Sequence, residues 1–157
     1  MVAACFIQNT LMIMNFQGRV LDIANSANPV ISQTINSPIT GNQIWDPIPL
    51  DFPTDSQIIF IDTIGSSAKD ARYLTYAGVG TVGPQFMQSV AGTSSTTFTI
   101  ECINSTTGYM IEVDSGSGFA LTAWAAEAGS TITPVTYEEF TGRMEQLWTF
   151  IPASVLY

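Results

Sequence analysis

Clusters of turn-forming residues recur about every eight to twelve positions along most of the chain, which leaves room only for short strands. The clusters are rich in Gly, Pro, Asn, Asp and Ser, each of which favours turns for its own conformational reason. The runs between them are RVLDI, QIIFID, RYLTY, TFTIEC, YMIEV and FALTAW. Short strands at this spacing are typical of an all-β sandwich or barrel. The sequence therefore predicts an all-β fold.

A Gln-x-Trp triplet occurs twice and is each time followed closely by Ile-Pro. The triplets are Gln43-Ile44-Trp45 and Gln146-Leu147-Trp148, and Gln85-Phe86-Met87 keeps the glutamine with another large apolar residue. Residues i and i+2 of a strand lie on one face, so each glutamine accompanies its partner. We predict structural roles for Gln43, Trp45, Gln85, Gln146 and Trp148. The large side chains enter a shared core, and the buried amides tie a loop to each strand.

Three segments of the chain align as copies of one unit. Leu21-Asp22-Ile23 aligns with Leu74-Thr75-Tyr76 and with Ile111-Glu112-Val113, and a Gln-x-large triplet follows each. Three copies of a roughly 50-residue all-β unit make a pseudo-threefold barrel. We therefore predict a β-trefoil with about four strands in each pseudo-repeat. It forms a single domain over residues 1–157, with lobes at roughly 1–55, 56–95 and 96–157.

Through these triplets and the opening GRVLDIANS, the chain resembles ricin-B-type β-trefoil lectins, particularly the small fungal ones, over essentially its whole length. In that family each lobe can hold a shallow sugar site. An aspartate after the second strand and an asparagine before the Gln-x-Trp bind sugar hydroxyls, and an aromatic ring stacks on the sugar. The resemblance implies a non-enzymatic lectin with one or two sites for glycans of galactose or mannose type, and no cofactor.

Carried over residue by residue, the first lobe offers Asp22 and Asn42 for sugar binding. An ionised carboxylate accepts strong hydrogen bonds, and a side-chain amide both donates and accepts them. The aromatic position falls nearest Gln33, so the stacking platform is missing. The second lobe has Thr75 in place of the acid, and we expect no sugar site there.

The third lobe offers four candidate sugar-binding residues. Glu112 stands at the aligned acid position, Asp114 follows two residues later, and Glu145 replaces the asparagine before the triplet. Trp124 lies near the position of the stacking aromatic and is either the platform or a core residue. One lobe thus combines an acid with an amide, and another combines an acid with an aromatic.

The resemblance also leaves a second function open. A trefoil that has lost its sugar sites can act as a protein-binding or enzyme-associated subunit, like the light subunit of mushroom tyrosinase, or as a protease inhibitor. The missing aromatic, the low charge and the Met-rich segment LMIMNF favour such a protein partner or a homo-oligomer. Alternation of the same segment into a barrel explains it equally well.

Charge and composition exclude several other functions. The formal net charge is -9, from 4 basic and 13 acidic residues. Nucleic acids and anionic membranes both require clustered cations, and the four basic residues form no cluster in the sequence. The chain has no histidine, which excludes histidine triads and histidine zinc sites. The adjacent acids Glu138 and Glu139 are best explained as solvated surface residues, so we predict neither an enzyme nor a metal site.

The two cysteines, Cys5 and Cys102, are too few for a zinc site of their own. The sequence leaves their pairing open, and we interpret them as two small buried thiols in a reducing compartment. The apolar start of the chain has no basic n-region, and polar residues interrupt it. We therefore expect a cytoplasmic protein, with unconventional secretion as the alternative. No segment approaches the ~20 apolar residues of a transmembrane helix, so we expect no membrane insertion.

Overall fold

A computed structural model of the chain describes residues 5, 7, 9–51, 57–64, 72–77 and 87–156, and twelve strands lie among them. The strands are β1 (Leu11–Met14), β2 (Val20–Ile23), β3 (Val30–Gln33), β4 (Trp45–Pro49), β5 (Gln57–Asp62), β6 (Tyr73–Tyr76), β7 (Met87–Gly92), β8 (Phe98–Cys102), β9 (Thr107–Glu112), β10 (Phe119–Ala123), β11 (Ile132–Glu139) and β12 (Leu147–Pro152). Short 3-10 turns form at Ala24–Ser26, Gly41–Gln43, Met144–Gln146 and Ala153–Leu156. Within the described ranges, no helix is long and apolar enough to cross a membrane.

Six strands close into a barrel. The order β1-β4-β5-β8-β9-β12 returns to β1, and every neighbouring pair is antiparallel. A closed sheet has no free edge, so the backbone hydrogen-bonding groups of these strands pair within the barrel. The apolar faces of the six strands enclose the main core.

The other six strands form three hairpins that cover one end of the barrel. The hairpins are β2–β3, β6–β7 and β10–β11, and the long strand β11 also pairs with β3 and β7. Each lobe contributes two barrel strands and one hairpin: β1–β4, β5–β8 and β9–β12. This arrangement is a β-trefoil of three four-strand repeats, so the predicted fold is confirmed.

One large side chain from each lobe fills the centre of the core. Trp45 and Trp148 are 0% exposed, and each indole N–H donates to a backbone carbonyl of its own hairpin. The acceptors are Leu21, at 3.3 Å from Trp45 Nε1, and Leu121, at 2.8 Å from Trp148 Nε1. Phe98 occupies the same place in the second lobe, because it begins β8 and is 0% exposed. The core is therefore built on two tryptophans and one phenylalanine.

The predicted alignment of the second lobe needs correction. Gln85 lies outside the described residues, and Met87 begins β7, which is the second strand of the hairpin. The position equivalent to the buried glutamines is instead Thr96, whose Oγ1 lies 2.7 Å from Oγ1 of Thr75. Two threonine hydroxyls thus make the contact that a glutamine amide makes in the other two lobes. The sequence alignment followed the glutamine, whereas the fold conserves the large residue Phe98 two positions after Thr96.

The first barrel strand of each lobe leads into a buried polar residue that organises the next turn. Asn15 Oδ1 accepts hydrogen bonds from two backbone N–H groups of its turn, at 2.9 and 3.0 Å. Asp62 Oδ1 accepts one at 3.1 Å, and its Oδ2 pairs with Arg72 at 2.8 Å. Glu112 is the third member of this set, at the end of β9. Satisfied polar groups at these positions fix the angle at which each hairpin leaves the barrel.

The two cysteines are joined, contrary to the expectation of free thiols. A disulfide links Cys5 to Cys102, and the described residues include no other cysteine. Cys102 ends β8, and Cys5 packs against the core from the segment before β1. The fold brings the two Cα atoms to 5.6 Å, a separation that allows a disulfide and that the sequence did not reveal.

We predict that Phe98→Ala lowers the free energy of unfolding by about 3–5 kcal/mol, because it leaves a cavity in the core. Ile103→Ala, at a side chain that is 52% exposed, is the control and should change it by less than about 0.5 kcal/mol. Urea unfolding followed by tryptophan fluorescence measures both. Equal, small effects would contradict the assignment of Phe98 as the counterpart of the two tryptophans.

We predict that the disulfide contributes to the stability of the fold. It links residues 97 positions apart and so restricts the unfolded chain; its loss in Cys5→Ser should lower the free energy of unfolding by about 2–5 kcal/mol. Cys102→Ser and the double variant should lose about the same amount, since either change removes the same bond. Additive losses in the double variant would show that the two side chains stabilise the fold independently of a shared bond.

Candidate functional site

In the first lobe the structure brings together the two residues predicted from the sequence. Asp22 lies in β2 and is 1% exposed. Its Oδ1 accepts a hydrogen bond from Asn42 Nδ2 at 2.9 Å, and its Oδ2 accepts one from Gln43 Nε2 at 2.8 Å. Both donors belong to the 3-10 turn Gly41–Gln43. The carboxylate therefore attaches this turn to the β2–β3 hairpin.

Burial dominates the electrostatics of this carboxylate. Removal from water raises the pKa of Asp22 above its ordinary value of 3.8, and the hydrogen bonds from Gln43 and Asn42 oppose that rise. Gln33, the residue predicted to lie nearest the aromatic position, ends β3. The first lobe thus combines a buried acid with an amide.

The third lobe differs from its predicted alignment. Glu112 is 0% exposed, and its Oε1 accepts from the backbone N–H of Phe119 at 3.2 Å. Its Oε2 accepts from the backbone N–H of Ser115 at 3.0 Å. Both oxygens therefore serve the turn between β9 and β10. The alignment of Glu112 with Asp22 was wrong because IEV at the end of β9 has the same apolar-acid-apolar pattern as LDI in β2.

Thr122 is the true counterpart of Asp22. It follows Leu121, whose carbonyl binds Trp148 as that of Leu21 binds Trp45. Thr122 Oγ1 accepts a hydrogen bond from Gln146 Nε2 at 3.2 Å, just as Asp22 accepts one from Gln43. The third lobe thus keeps the polar contact with a hydroxyl instead of a carboxylate.

Asp114 and Glu145, the other two predicted acids of this lobe, lie in different places. Asp114 is exposed and accepts a hydrogen bond from the backbone N–H of Thr97 at 2.6 Å, so it joins the third lobe to the second. Glu145 is the middle residue of the turn Met144–Gln146, as Asn42 is of Gly41–Gln43. Glu145 therefore lies at the position that the sequence alignment gave it, and its part in sugar binding stays a prediction.

Trp124 is a surface residue with a fixed orientation. It directly follows β10, it is 41% exposed, and its backbone N–H donates to the Pro134 carbonyl at 3.1 Å. Its indole Nε1 donates to Thr136 Oγ1 at 3.0 Å, and the Thr136 hydroxyl donates to Glu138 Oε2 at 2.7 Å. The donors and acceptors follow one direction along this chain. The ring plane is held in place by a buried hydroxyl rather than by core packing alone.

Arg143 completes the polar side of this arrangement. Its Nη2 donates to Glu138 Oε1, and its Nε lies 3.8 Å from Glu145 Oε2. The Glu138 side chain is 11% exposed, whereas those of Arg143 and Glu145 are 40% and 34% exposed. We name Trp124, Thr136, Glu138, Arg143 and Glu145 the Trp124 cluster. It combines an aromatic surface with planar, charged hydrogen-bonding groups.

Of the five residues of this cluster, sequence patterns predicted only Trp124 and Glu145 as site residues. Thr136, Glu138 and Arg143 were not predicted as site residues, and Glu138 was assigned to a solvated surface. The alternation of side chains along β11 is the one sequence pattern that places Glu138 beside Thr136. It puts four residues on the same side of the strand: Ile132, Pro134, Thr136 and Glu138. Within the described ranges, no three His, Cys, Asp or Glu side chains are grouped to hold a metal ion.

Comparison with known proteins supports the fold. No protein-family model and no curated protein matches the chain. Among solved structures, the Rhizoctonia solani agglutinin superposes with a TM-score of 0.71 at 18% identity, covering 92% of this chain and 95% of that one. The Macrolepiota procera ricin B-like lectin in complex with lactose gives 0.66 at 18% identity, covering 97% and 99%.

A designed protein of threefold symmetry, ThreeFoil, superposes with a TM-score of 0.70 at 16% identity, covering 90% of this chain and 97% of that one. The chain therefore shares the β-trefoil fold with an agglutinin, a ricin B-like lectin and a designed protein of threefold symmetry. At identities of 16% and 18% the likeness shows the fold alone.

The raised pKa of Asp22 predicts how stability changes with pH. The Asp22 carboxyl holds its proton more strongly in the folded chain than in the unfolded chain, so protonation of Asp22 stabilises the folded state. This contribution to the free energy of unfolding is fully present below pH 3.8 and is lost as the pH rises through the pKa of Asp22 in the folded chain. The wild type should therefore lose stability relative to Asp22→Asn as the pH rises from that value. Urea unfolding of both proteins across the acid range measures the difference. Parallel stability curves would show that Asp22 has the same pKa in both states.

Proposed function

We propose that the protein binds carbohydrate through the Trp124 cluster of its third lobe. The observation that carries the proposal is the 41% exposed indole, fixed by its hydrogen bond to Thr136 and bordered by an ion-paired row of planar groups. A pyranose ring has an apolar C–H face and a rim of hydroxyls. Its recognition needs a flat apolar surface next to directional donors and acceptors, and the cluster supplies both.

Each polar member has a defined part in this proposal. The carboxylate of Glu145, which is 34% exposed, accepts hydrogen bonds from sugar hydroxyls, and the exposed part of Arg143 donates to ring or hydroxyl oxygens. Glu138, whose two oxygens already accept from Thr136 and Arg143, holds Arg143 in position. Because Arg143 already bridges the two carboxylates, little side-chain freedom is lost on binding. The cluster is thus pre-organised for a small polar ligand.

Charge narrows the class of glycan. The cluster contains one cation and two carboxylates, and the chain as a whole carries a formal charge of -9. Acidic sugars would be repelled by this field, so the ligand is a neutral glycan. Both glycan types implied by the sequence resemblance, galactose and mannose, meet this condition.

We assign the working site to the third lobe rather than the first. Asp22 is 1% exposed, and Asn42 and Gln43 already donate to its two oxygens, so a sugar hydroxyl would have to displace an internal contact. Trp124, by contrast, is 41% exposed, so part of its indole already faces solvent. One shallow site of this kind corresponds to dissociation constants from about 1 mM to tens of μM, or about -4 to -7 kcal/mol. Higher avidity would require oligomerisation.

A protein-binding function is the second candidate, and one observation favours it. Ile132, 50% exposed, and Pro134, also exposed, lie on the same side of β11 as Thr136, and Pro134 is directly opposite Trp124. These side chains form an apolar strip of the kind found at protein interfaces. The neighbouring charged row favours a polar ligand, so carbohydrate binding remains our first proposal and the role is non-catalytic in both cases.

We expect Trp124→Ala to weaken binding to a neutral glycan at least tenfold, since it removes the stacking surface. Trp124→Phe keeps a ring but loses the hydrogen bond to Thr136, and it should give an intermediate loss. A panel of immobilised glycans identifies the ligand, and titration calorimetry measures each variant. Ile103→Ala, at an exposed site in the turn after β8, is the matched control and should bind like the wild type.

The same experiment distinguishes glycan binding at Trp124 from glycan binding in another lobe and from protein binding. Unchanged affinity in Trp124→Ala would move the site to another lobe. A folded protein that binds no glycan would reject the proposal. If sedimentation then shows self-association that Ile132→Ser abolishes, the apolar strip is an interface between copies of this chain.

A further inference from the structure

The turn between β8 and β9 contains the one Asn-x-Ser/Thr tripeptide of the sequence, Asn104-Ser105-Thr106. All three residues are exposed, and the turn lies at the end of the barrel opposite the hairpins. This tripeptide is the acceptor motif for N-linked glycosylation. Because the tripeptide is common in protein sequences, its conformation and surroundings decide whether Asn104 can be an acceptor.

The conformation of the turn suits an acceptor. Asn104 Oδ1 accepts hydrogen bonds from Thr106 N–H at 2.9 Å and from the Thr106 hydroxyl at 3.2 Å. These contacts form an Asx turn and leave the amide nitrogen at the surface. Nδ2 of Asn104 makes no hydrogen bond to any residue that the structure describes. The Thr106 hydroxyl also polarises the amide carbonyl, which is a physical reason for a hydroxyl two positions after the asparagine.

The disulfide is an independent sign of the same cellular environment. Cys102, two residues before Asn104, is bonded to Cys5. Disulfides form and persist in oxidising compartments and are rare in the cytosol. In eukaryotic cells the lumen that forms disulfides is also the one that transfers N-linked glycans. The two features therefore point to one maturation route, which differs from the cytoplasmic location expected from the sequence.

We propose that Asn104 is an N-glycosylation site and that the chain matures in an oxidising secretory compartment. The donor is an oligosaccharide linked through pyrophosphate to a lipid. A bond forms between Asn104 Nδ2 and C1 of the first sugar while the bond from C1 to the pyrophosphate oxygen breaks. The lipid pyrophosphate leaves with that electron pair, and Nδ2 releases one proton. No group is oxidised or reduced.

The folded protein has room for the added glycan. The turn residues around Asn104 are exposed, including Ile103 at 52%, so the glycan displaces no packed side chain. β8 runs from Phe98, near the hairpins, to Cys102, and its five residues span roughly 16 Å. A glycan at Asn104 therefore projects from the opposite end of the barrel and leaves the hairpins accessible. The proposal is independent of carbohydrate binding by the Trp124 cluster.

The test expresses the full chain with a cleavable secretory leader in a eukaryotic host. Secreted and cell-associated protein are both analysed by intact mass before and after peptide N-glycosidase treatment. We expect a glycan mass that the enzyme removes, with conversion of residue 104 to aspartate in the released peptide. Asn104→Gln and Thr106→Ala should abolish it. Thr106→Ser and Ser105→Ala keep the motif and should retain it.

Two results would overturn the proposal. The first is a folded chain that contains the Cys5–Cys102 disulfide but carries no glycan on Asn104. The second is a glycan mass that persists in both Asn104→Gln and Thr106→Ala. Tryptophan fluorescence of each variant verifies folding, and Thr106→Ala gives an answer even if Asn104→Gln disturbs the turn.

Discussion

The hydrogen bonds of two buried glutamines fix the loops on which the candidate sites depend. Gln43 Nε2 donates to the Thr34 carbonyl at 3.0 Å, and its Oε1 accepts from the Asn36 N–H at 2.8 Å. Gln146 makes the equivalent contacts with the loop before it. A buried amide without partners would cost about 1–3 kcal/mol, so these loops have little freedom to move. The preceding residues, Asn42 and Glu145, are therefore placed by the fold.

The residue beneath each glutamine is less constrained than the glutamine. Asp22 accepts the amide in the first lobe and Thr122 accepts it in the third, and in the second lobe Thr75 meets Thr96. In all three lobes the buried polar group has a hydrogen-bond partner, although that partner is a carboxylate in the first lobe and a neutral hydroxyl in the other two. A carboxylate at this position can thus serve the fold alone. Exposure separates a structural acid from a binding acid, and Asp22 is 1% exposed.

Sequence patterns predicted the fold correctly, but they aligned the three repeats only in part. The two Gln-x-Trp triplets placed Trp45 and Trp148 in the core, because a large residue at a strand start has few other positions to occupy. Alternation cannot distinguish the first strand of a lobe from the second, so Glu112 was aligned with the wrong strand. Phe98 was missed because its lobe lacks the glutamine. The contacts of Arg143 depend on how β11 and the next turn approach each other, which no local pattern encodes.

The two ends of the barrel have different physical requirements. At the hairpin end, Trp124 remains exposed at a cost in apolar hydration, and a hydrogen bond to Thr136 and the Arg143 ion pairs maintain its orientation. At the opposite end, the disulfide ties Cys5 to the end of β8, beside the exposed polar turn that contains Asn104. Rigidity comes from side-chain hydrogen bonds at one end and from a covalent bond at the other. A surface kept exposed and oriented favours ligand binding, whereas a covalently anchored polar turn accommodates a modification without loss of core packing.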